Sequence, residues 1–282
     1  MDALRRRTLA RAVEFEGSGV HTGEACALRI EPAEAGHGIV LENARHKFRC
    51  PATLEFADAE ASERRTVLAH PDGGRFEQME HMMAALAAAG VSDALVVQDG
   101  LEPPFMDGGC YEFLKRIRKT GTVELDAAWP ALEIEEPLMF QDGGALMTAA
   151  PGDRCSLSAF VEFPGTVVGS SGAMVTLGED DFEKEVSKAR TFVLAREVEM
   201  LRAAGYGKGA TLSNTVVFDG EKFHNGRLNY PNEPARHKLI DLLGDLALLG
   251  CPLRGHVGAW RAGHRSHVRF ARFLAESLSL PR

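Results

Sequence analysis

The chain has 282 residues, 45% of them apolar, and a formal charge of −8 from 32 Lys+Arg against 40 Asp+Glu. That length fits one large domain or two small ones, and the apolar content is enough for a sizeable core, which excludes global disorder. The acidic balance excludes a general nucleic-acid binder, whose footprint is basic.

In chain order, strand-like stretches open the sequence at 8–16 and 25–31, joined by Gly17-Ser18-Gly19. More strand is predicted at 38–42 and 66–70, then a helix at 77–89 ended by Gly90. A strand at 94–98 and a helix at 110–119 complete the first half. A seam follows near 120–130. The second half repeats the order, with strands at 131–140, 145–150 and 156–163 and the turn Asp142-Gly143-Gly144. Charged helical stretches are predicted at 180–189 and 195–204, then a strand at 215–219. The longest helix, 234–249, is capped by Gly250 with Pro252 beyond. A strand at 256–260 and a helix near 267–278 finish the chain. The matched order predicts two α+β halves, 1–125 and 126–282, each with a sheet to bury and helices to cover it.

Cys26, Cys50, Cys110, Cys155 and Cys251 lie far apart. An odd count with no CxxC pair fits neither a disulfide framework nor a zinc ribbon, and free thiols in a reducing compartment are the simplest reading. No apolar run reaches the ~18 residues of a membrane-crossing helix. The start, Met1-Asp2-Ala3-Leu4-Arg5-Arg6-Arg7, is basic, but no apolar stretch follows as in a secretory signal. A cytoplasmic location is expected.

The most informative segment is Arg236-His237-Lys238-Leu239-Ile240-Asp241-Leu242-Leu243-Gly244-Asp245. On a helix, His237, Asp241 and Asp245 lie on one face at successive four-residue steps. An imidazole and a carboxylate so aligned make two-thirds of a three-ligand zinc site, and taken alone they also read as an i,i+4 hydrogen-bonded pair. Glu80-His81 sets a ligand type beside a carboxylate able to take a proton from water, and it also reads as an acidic first turn. Ala262-Gly263-His264-Arg265 follows a strand and exposes an imidazole that could protonate a leaving amine, with Asp245 behind it. The remaining histidines, among them His21 and His267, are read as lacking a comparable carboxylate neighbour, and His21 as a loop-packing residue. Gly205, Gly207 and Gly209 match neither the Walker nor the dinucleotide pattern and read as loop glycines.

Together, Arg7-Thr8-Leu9, Gly19-Val20-His21-Thr22-Gly23, Glu80-His81-Met82-Met83-Ala84-Ala85-Leu86, Glu102-Pro103-Pro104-Phe105-Met106-Asp107-Gly108, Ala189-Arg190-Thr191-Phe192, the 236–245 segment and Gly263-His264 resemble the zinc-dependent UDP-3-O-acyl-N-acetylglucosamine deacetylases of lipid A biosynthesis. The resemblance implies two similar α+β domains with their helices facing each other, a β-α-α-β sandwich. It implies Zn2+ held by His81, His237 and Asp241, Glu80 as general base, and His264 as general acid with Asp245 behind it. Thr191 would hydrogen-bond the oxyanion, and Lys238 would lie near the substrate's sugar or diphosphate. Phe163 would stack on uracil. The insert 192–207 would form an acyl channel, with Val193, Leu194, Val198, Met200 and Leu201 either lining it or serving ordinary helix packing, and Phe192 is a candidate substrate contact. Arg254, Arg261, Arg265, Arg269 and Arg272 suit a diphosphate or the anionic inner membrane surface, or form a solvated helix face. The implied partner is a lipid-linked nucleotide sugar, with no nucleic acid, and the chain is expected to act as a monomer.

The sequence departs from the family pattern at three places. Arg265-Ser266-His267-Val268 stands where an Asn-containing run is usual, Arg261 stands for Lys, and Pro234-Ala235 replaces bulkier residues. A paralogous zinc amidase acting on another N-acyl sugar, or a non-catalytic binding protein on the same fold, are the alternatives.

Overall fold

The computed structural model describes residues 4–278, so Met1, Asp2 and Ala3 of the basic start lie outside the described residues. The first half runs β1 (Leu4–Leu9), β2 (Val13–Ser18), β3 (Ala25–Pro32), β4 (Ile39–Asn43), β5 (Phe48–Pro51), β6 (Val67–Ala69), β7 (Arg75–Glu77), α1 (Glu80–Ala88), β8 (Ala94–Gln98) and α2 (Tyr111–Thr120). The second runs β9 (Thr122–Trp129), β10 (Leu132–Glu133), β11 (Leu138–Asp142), β12 (Ala145–Ala150), β13 (Cys155–Phe163), β14 (Gly169–Thr176), α3 (Phe182–Glu185), β15 (Thr191–Leu194), α4 (Val198–Ala203), β16 (Thr215–Phe218), α5 (Glu233–Leu246), β17 (Leu253–Trp260) and α6 (His264–Leu278).

Two sheets form the outer layers. One has the order β2-β3-β8-β4-β5, and the other β11-β12-β17-β13-β14 with β10 beside β17. The first contains one parallel pair, β4 with β8, and the second two, β13 and β10 each with β17, among antiparallel neighbours. Their strands alternate. On β3, Cys26, Leu28 and Ile30 are buried while Ala25, Ala27 and Arg29 face solvent. The helices fill the middle. α1 is apolar on every side, with Met82, Met83, Ala84, Ala85 and Leu86 all buried, as a helix covered on both flanks must be. It packs against Leu239, Leu242, Leu243 and Leu246 of α5 in one continuous core, so the layers read sheet, helices, helices, sheet. The crossing is close because Gly244 has no side chain. A Cβ there would collide with the backbone carbonyl of Glu80.

Several elements differ from the sequence reading. The 8–16 stretch breaks at Leu9 because β1 leaves to pair with β9, while β2 joins the first sheet. The predicted seam is thus largely strand, and the division at 125/126 falls inside β9. The 131–140 stretch divides around Pro137, which has no N–H for a ladder. Of 180–189 only one helical turn forms, because Arg190 is tied to Glu233 on α5 and draws the chain out into β15. The last helix begins at His264 rather than near 267. β14, Gly-Ser-Ser-Gly-Ala-Met-Val-Thr, lacks an apolar alternation and is a strand only through its pairing with β13.

Candidate active site

Three side chains meet where α1 crosses α5. The ligand-type atoms of His81, His237 and Asp241 all lie within 4.8 Å of one another, and all three residues are buried. Asp241 Oδ1 stands 3.2 Å from His237 Nε2 and 3.7 Å from His81 Nε2. The i,i+4 step on α5 supplies one pair, and the Gly244 crossing brings His81 in from the other half. His237 donates Nδ1–H to the Ala189 carbonyl at 3.0 Å, which leaves its Nε2 lone pair facing the group.

The donor set fits a cation. Asp241 Oδ1 is buried and has no hydrogen-bond donor among the described residues, a costly state unless a positive charge satisfies it. Burial works against the Asp241 carboxylate, yet His237, Lys238 and His264 hold it well below the usual carboxylate range. Burial also lowers His237, so it stays the neutral ligand form. Two imidazoles and a carboxylate match a catalytic zinc site, which takes three protein ligands and keeps a fourth position open.

Glu80 begins α1 and is fully buried. The Thr66 N–H donates to its Oε2 at 3.0 Å, and the Gln78 side-chain amide donates to its Oε1 at 2.7 Å. Burial raises its pKa, with His264 and His81 pulling the other way. On the opposite side, His264 Nε2 approaches Glu80 Oε1 at 3.7 Å and Asp241 Oδ2 at 3.8 Å. His264 Nδ1 donates to Asp245 Oδ2 at 2.8 Å. Burial works against a charged His264, but Asp245, Glu80 and Asp241 outweigh it and push its pKa up to about 9. A buried carboxylate and a protonated imidazole therefore stand 3.7 Å apart beside the metal-type trio.

A cavity of about 570 Å³ opens onto these groups. Thr191, Phe192, Phe163, Lys238 and Arg261 line it with Glu80, His81, His237, Asp241 and His264. Phe163 meets Phe192 edge-on at 5.6 Å, and Lys238 donates to Asp241 Oδ2 at 2.8 Å. Thr191 is held by its N–H to the Gly108 carbonyl at 2.8 Å. Behind it, Arg190 forks onto Glu233 at 2.8 and 3.1 Å, both residues buried, fixing the start of α5 against the Thr191 segment.

Leu201 is not among the lining residues. β15 and Glu197 carry the lining part of the 192–207 insert, whereas α4 has no buried residue and leaves Met200 exposed. Of the arginine cluster, Arg261 and Arg265 reach the cavity. Arg269 pairs with Asp142 and Glu60, Arg272 donates to the Leu54 and Ala57 carbonyls, and Arg254 meets Glu133.

Three histidine readings need correction. His267 does have a carboxylate: its Nδ1 donates to Asp245 Oδ2 at 2.8 Å. Its three-residue step from His264 on α6 was the available signal. His224 likewise meets Asp219 at 2.7 Å and His70 meets Asp72 at 3.4 Å, each within a surface turn. Thr66, Gln78 and Asp107 were not anticipated. The Asp107 carboxyl is raised to about 6 by burial, and its Oδ1 is buried with no hydrogen-bond partner among the described residues. The group Asp245, His264 and His267 also has ligand-type spacing, but there the carboxylate is already occupied by imidazole N–H donors and by Thr66 Oγ1.

A trio of two histidines and one aspartate, beside a buried carboxylate and a raised-pKa imidazole, is a donor set of the kind used by metal-dependent hydrolases. The sequence matches the UDP-3-O-acyl N-acetylglycosamine deacetylase family over residues 6–276. It is 31% identical over 278 residues to a UDP-3-O-acyl-N-acetylglucosamine deacetylase of Leptospira biflexa serovar Patoc, covering 98% of this chain and 91% of that protein. Enzymes of the same name from Thermosynechococcus vestitus and Myxococcus xanthus are 35% and 33% identical, over 97% and 96% of this chain and 95% and 86% of theirs. The chain belongs to the UDP-3-O-acyl N-acetylglycosamine deacetylase family.

Proposed function

We propose that the enzyme removes the N-acetyl group of UDP-3-O-acyl-N-acetylglucosamine, giving acetate and the free sugar amine in lipid A biosynthesis. The observation that carries this reading is the approach of His81 to His237 and Asp241 between Glu80 and the His264–Asp245 pair. His81, His237 and Asp241 would hold Zn2+, which when bound would polarise the amide carbonyl and lower the pKa of water.

Glu80 accepts the proton of the attacking water, its carboxylate held in place by Thr66 and Gln78. The Thr191 hydroxyl donates to the oxyanion as it develops. His264, kept protonated by its carboxylate neighbours, gives its proton to the departing amine, and Asp245 fixes the ring through Nδ1. Lys238, Arg261 and the paired rings of Phe163 and Phe192 receive the nucleotide sugar, and the apolar side of β15 receives the acyl chain.

The site is complete within one chain, which supports a monomer. No helix among the described residues is long and apolar enough to cross a membrane. A cytoplasmic location is supported by five free thiols, and peripheral contact with the inner membrane surface by Arg261 and Arg265 at the mouth, 54% and 42% exposed.

The test is acetate release from UDP-3-O-acyl-N-acetylglucosamine with and without a chelator, beside metal analysis of the His237→Ala variant. Chelation is expected to abolish release and His237→Ala to lose zinc. Release that persists without metal, or full zinc in the variant, would overturn the reading.

A further inference from the structure

Gln78 sits two residues before α1 with φ +61°, a left-handed backbone that a residue with a Cβ adopts only where its surroundings enforce it. It is buried, and its N–H is spent on the Thr66 carbonyl at 2.9 Å. Its side chain bridges two groups. Nε2 donates to Glu80 Oε1 at 2.7 Å, and Oε1 lies 3.0 Å from His21 Nε2. An ionised carboxylate only accepts, so the amide nitrogen must face Glu80 and the amide oxygen must face His21. His21 Nε2 therefore carries the proton, and its Nδ1 is a buried acceptor with no partner among the described residues. His21 is itself fixed, because Glu102 accepts the backbone N–H groups of His21 at 2.9 Å and Thr22 at 3.0 Å. The contacted oxygen, Glu80 Oε1, is the one 3.7 Å from His264 Nε2, so it faces the reacting space.

We propose that Gln78 is a positioning residue for the hydrolytic step, its strained backbone retained because it aims the side-chain amide at Glu80 Oε1 while His21 locks the amide the right way round. This rests on Glu80 as the general base. With the amide gone, Thr66 alone restrains the carboxylate through Oε2, and Oε1 is free to swing off the line to the attacking water.

A residue kept only to start α1 would behave differently, and Gln78→Gly separates the two roles. Glycine suits φ +61°, so this variant relieves the backbone while deleting the amide. The expected result with the zinc-loaded enzyme is a kcat at least ten-fold lower, KM within two-fold, unchanged zinc content and a melting temperature no lower than the parent's. Gln78→Asn tolerates the same φ but is one methylene short, and it should show the same loss. His21→Ala should lose less than Gln78→Gly, and the double variant should be no worse than Gln78→Gly alone. Parental kcat in Gln78→Gly or Gln78→Asn, a loss carried by KM, or additive losses in the double variant would each overturn the proposal. Glu80→Gln, run in parallel, tests the underlying reading: if it keeps kcat within ten-fold, the base assignment fails and Gln78 has nothing to position.

Discussion

Asp245 Oδ2 accepts two hydrogen bonds, one from His264 Nδ1 and one from His267 Nδ1, each at 2.8 Å, while Thr66 Oγ1 donates to Oδ1. His264 gains its raised pKa from this carboxylate, whereas burial keeps His267 a neutral donor. His264 is also outside the metal-type trio. His264→Ala should therefore lower kcat by about 10²–10⁴-fold, the usual worth of a general acid, and leave zinc content unchanged. Metal analysis and acetate release on the same preparation check both halves. Zinc loss would make His264 a ligand instead.

The pH profile has two limbs of opposite sign. His264 must carry its proton, so turnover falls as pH rises through about 9. Glu80 must be ionised, and burial raises its pKa, so turnover falls as pH drops through a value above the ordinary carboxylate range. A linked stability effect follows in metal-free protein. The folded pKa of His264 lies above its ordinary 6.5, so its stabilising contribution is whole below that value and is lost as pH rises through about 9. Rates and melting temperatures across pH 5–10 test this, and a flat alkaline limb would remove the acid.

Gly244→Ala should destabilise the fold, because the added methyl meets the Glu80 carbonyl, which belongs to rigid helix backbone. Overpacking of this kind costs about 1–3 kcal/mol. Activity should fall further than stability, since the same contact sets the distance from His81 to Asp241. Thermal melts and kcat read the two effects separately, and an unchanged melt would mean that the helices do not touch there.

Glu233→Ala removes one partner of a buried ion pair and leaves the Arg190 guanidinium, itself 7% exposed, uncompensated. The expected cost is about 3–5 kcal/mol. Arg190→Lys should also weaken the fold, because an ammonium does not reproduce the two-pronged contact. Denaturant melts with linear extrapolation measure both, and a loss below about 1 kcal/mol would show the pair to be dispensable.

The thiols offer a check on packing. Burial pushes Cys26 and Cys155 up to about 12 and Cys50 and Cys251 up to about 11, and it holds Cys110 well above the ordinary thiol range. Thiolate is the reactive form, so at pH 8 a disulfide reagent should titrate less than one thiol quickly in folded protein and all five after denaturation. Rapid modification of two or more would contradict the packing around them.

His237, Asp241 and Asp245 were legible from sequence as one face of a helix, since that alignment depends only on 3.6 residues per turn. Glu80-His81, the apolar surface of α1 and the alternation of β3, β8 and β12 were legible for the same reason, because each is a local pattern. The resemblance ordered those pieces into a site, but not the groups that hold it. Thr66 and Gln78 are unremarkable in any window of sequence and acquire their roles from lying beside Glu80. His267 acquires Asp245 only because α6 packs on α5. β14 and β15 are strands only by virtue of their partners. Local geometry is written in residue spacing, but which buried donor meets which buried acceptor depends on how closely two helices cross, and here that closeness is set by the missing side chain of Gly244.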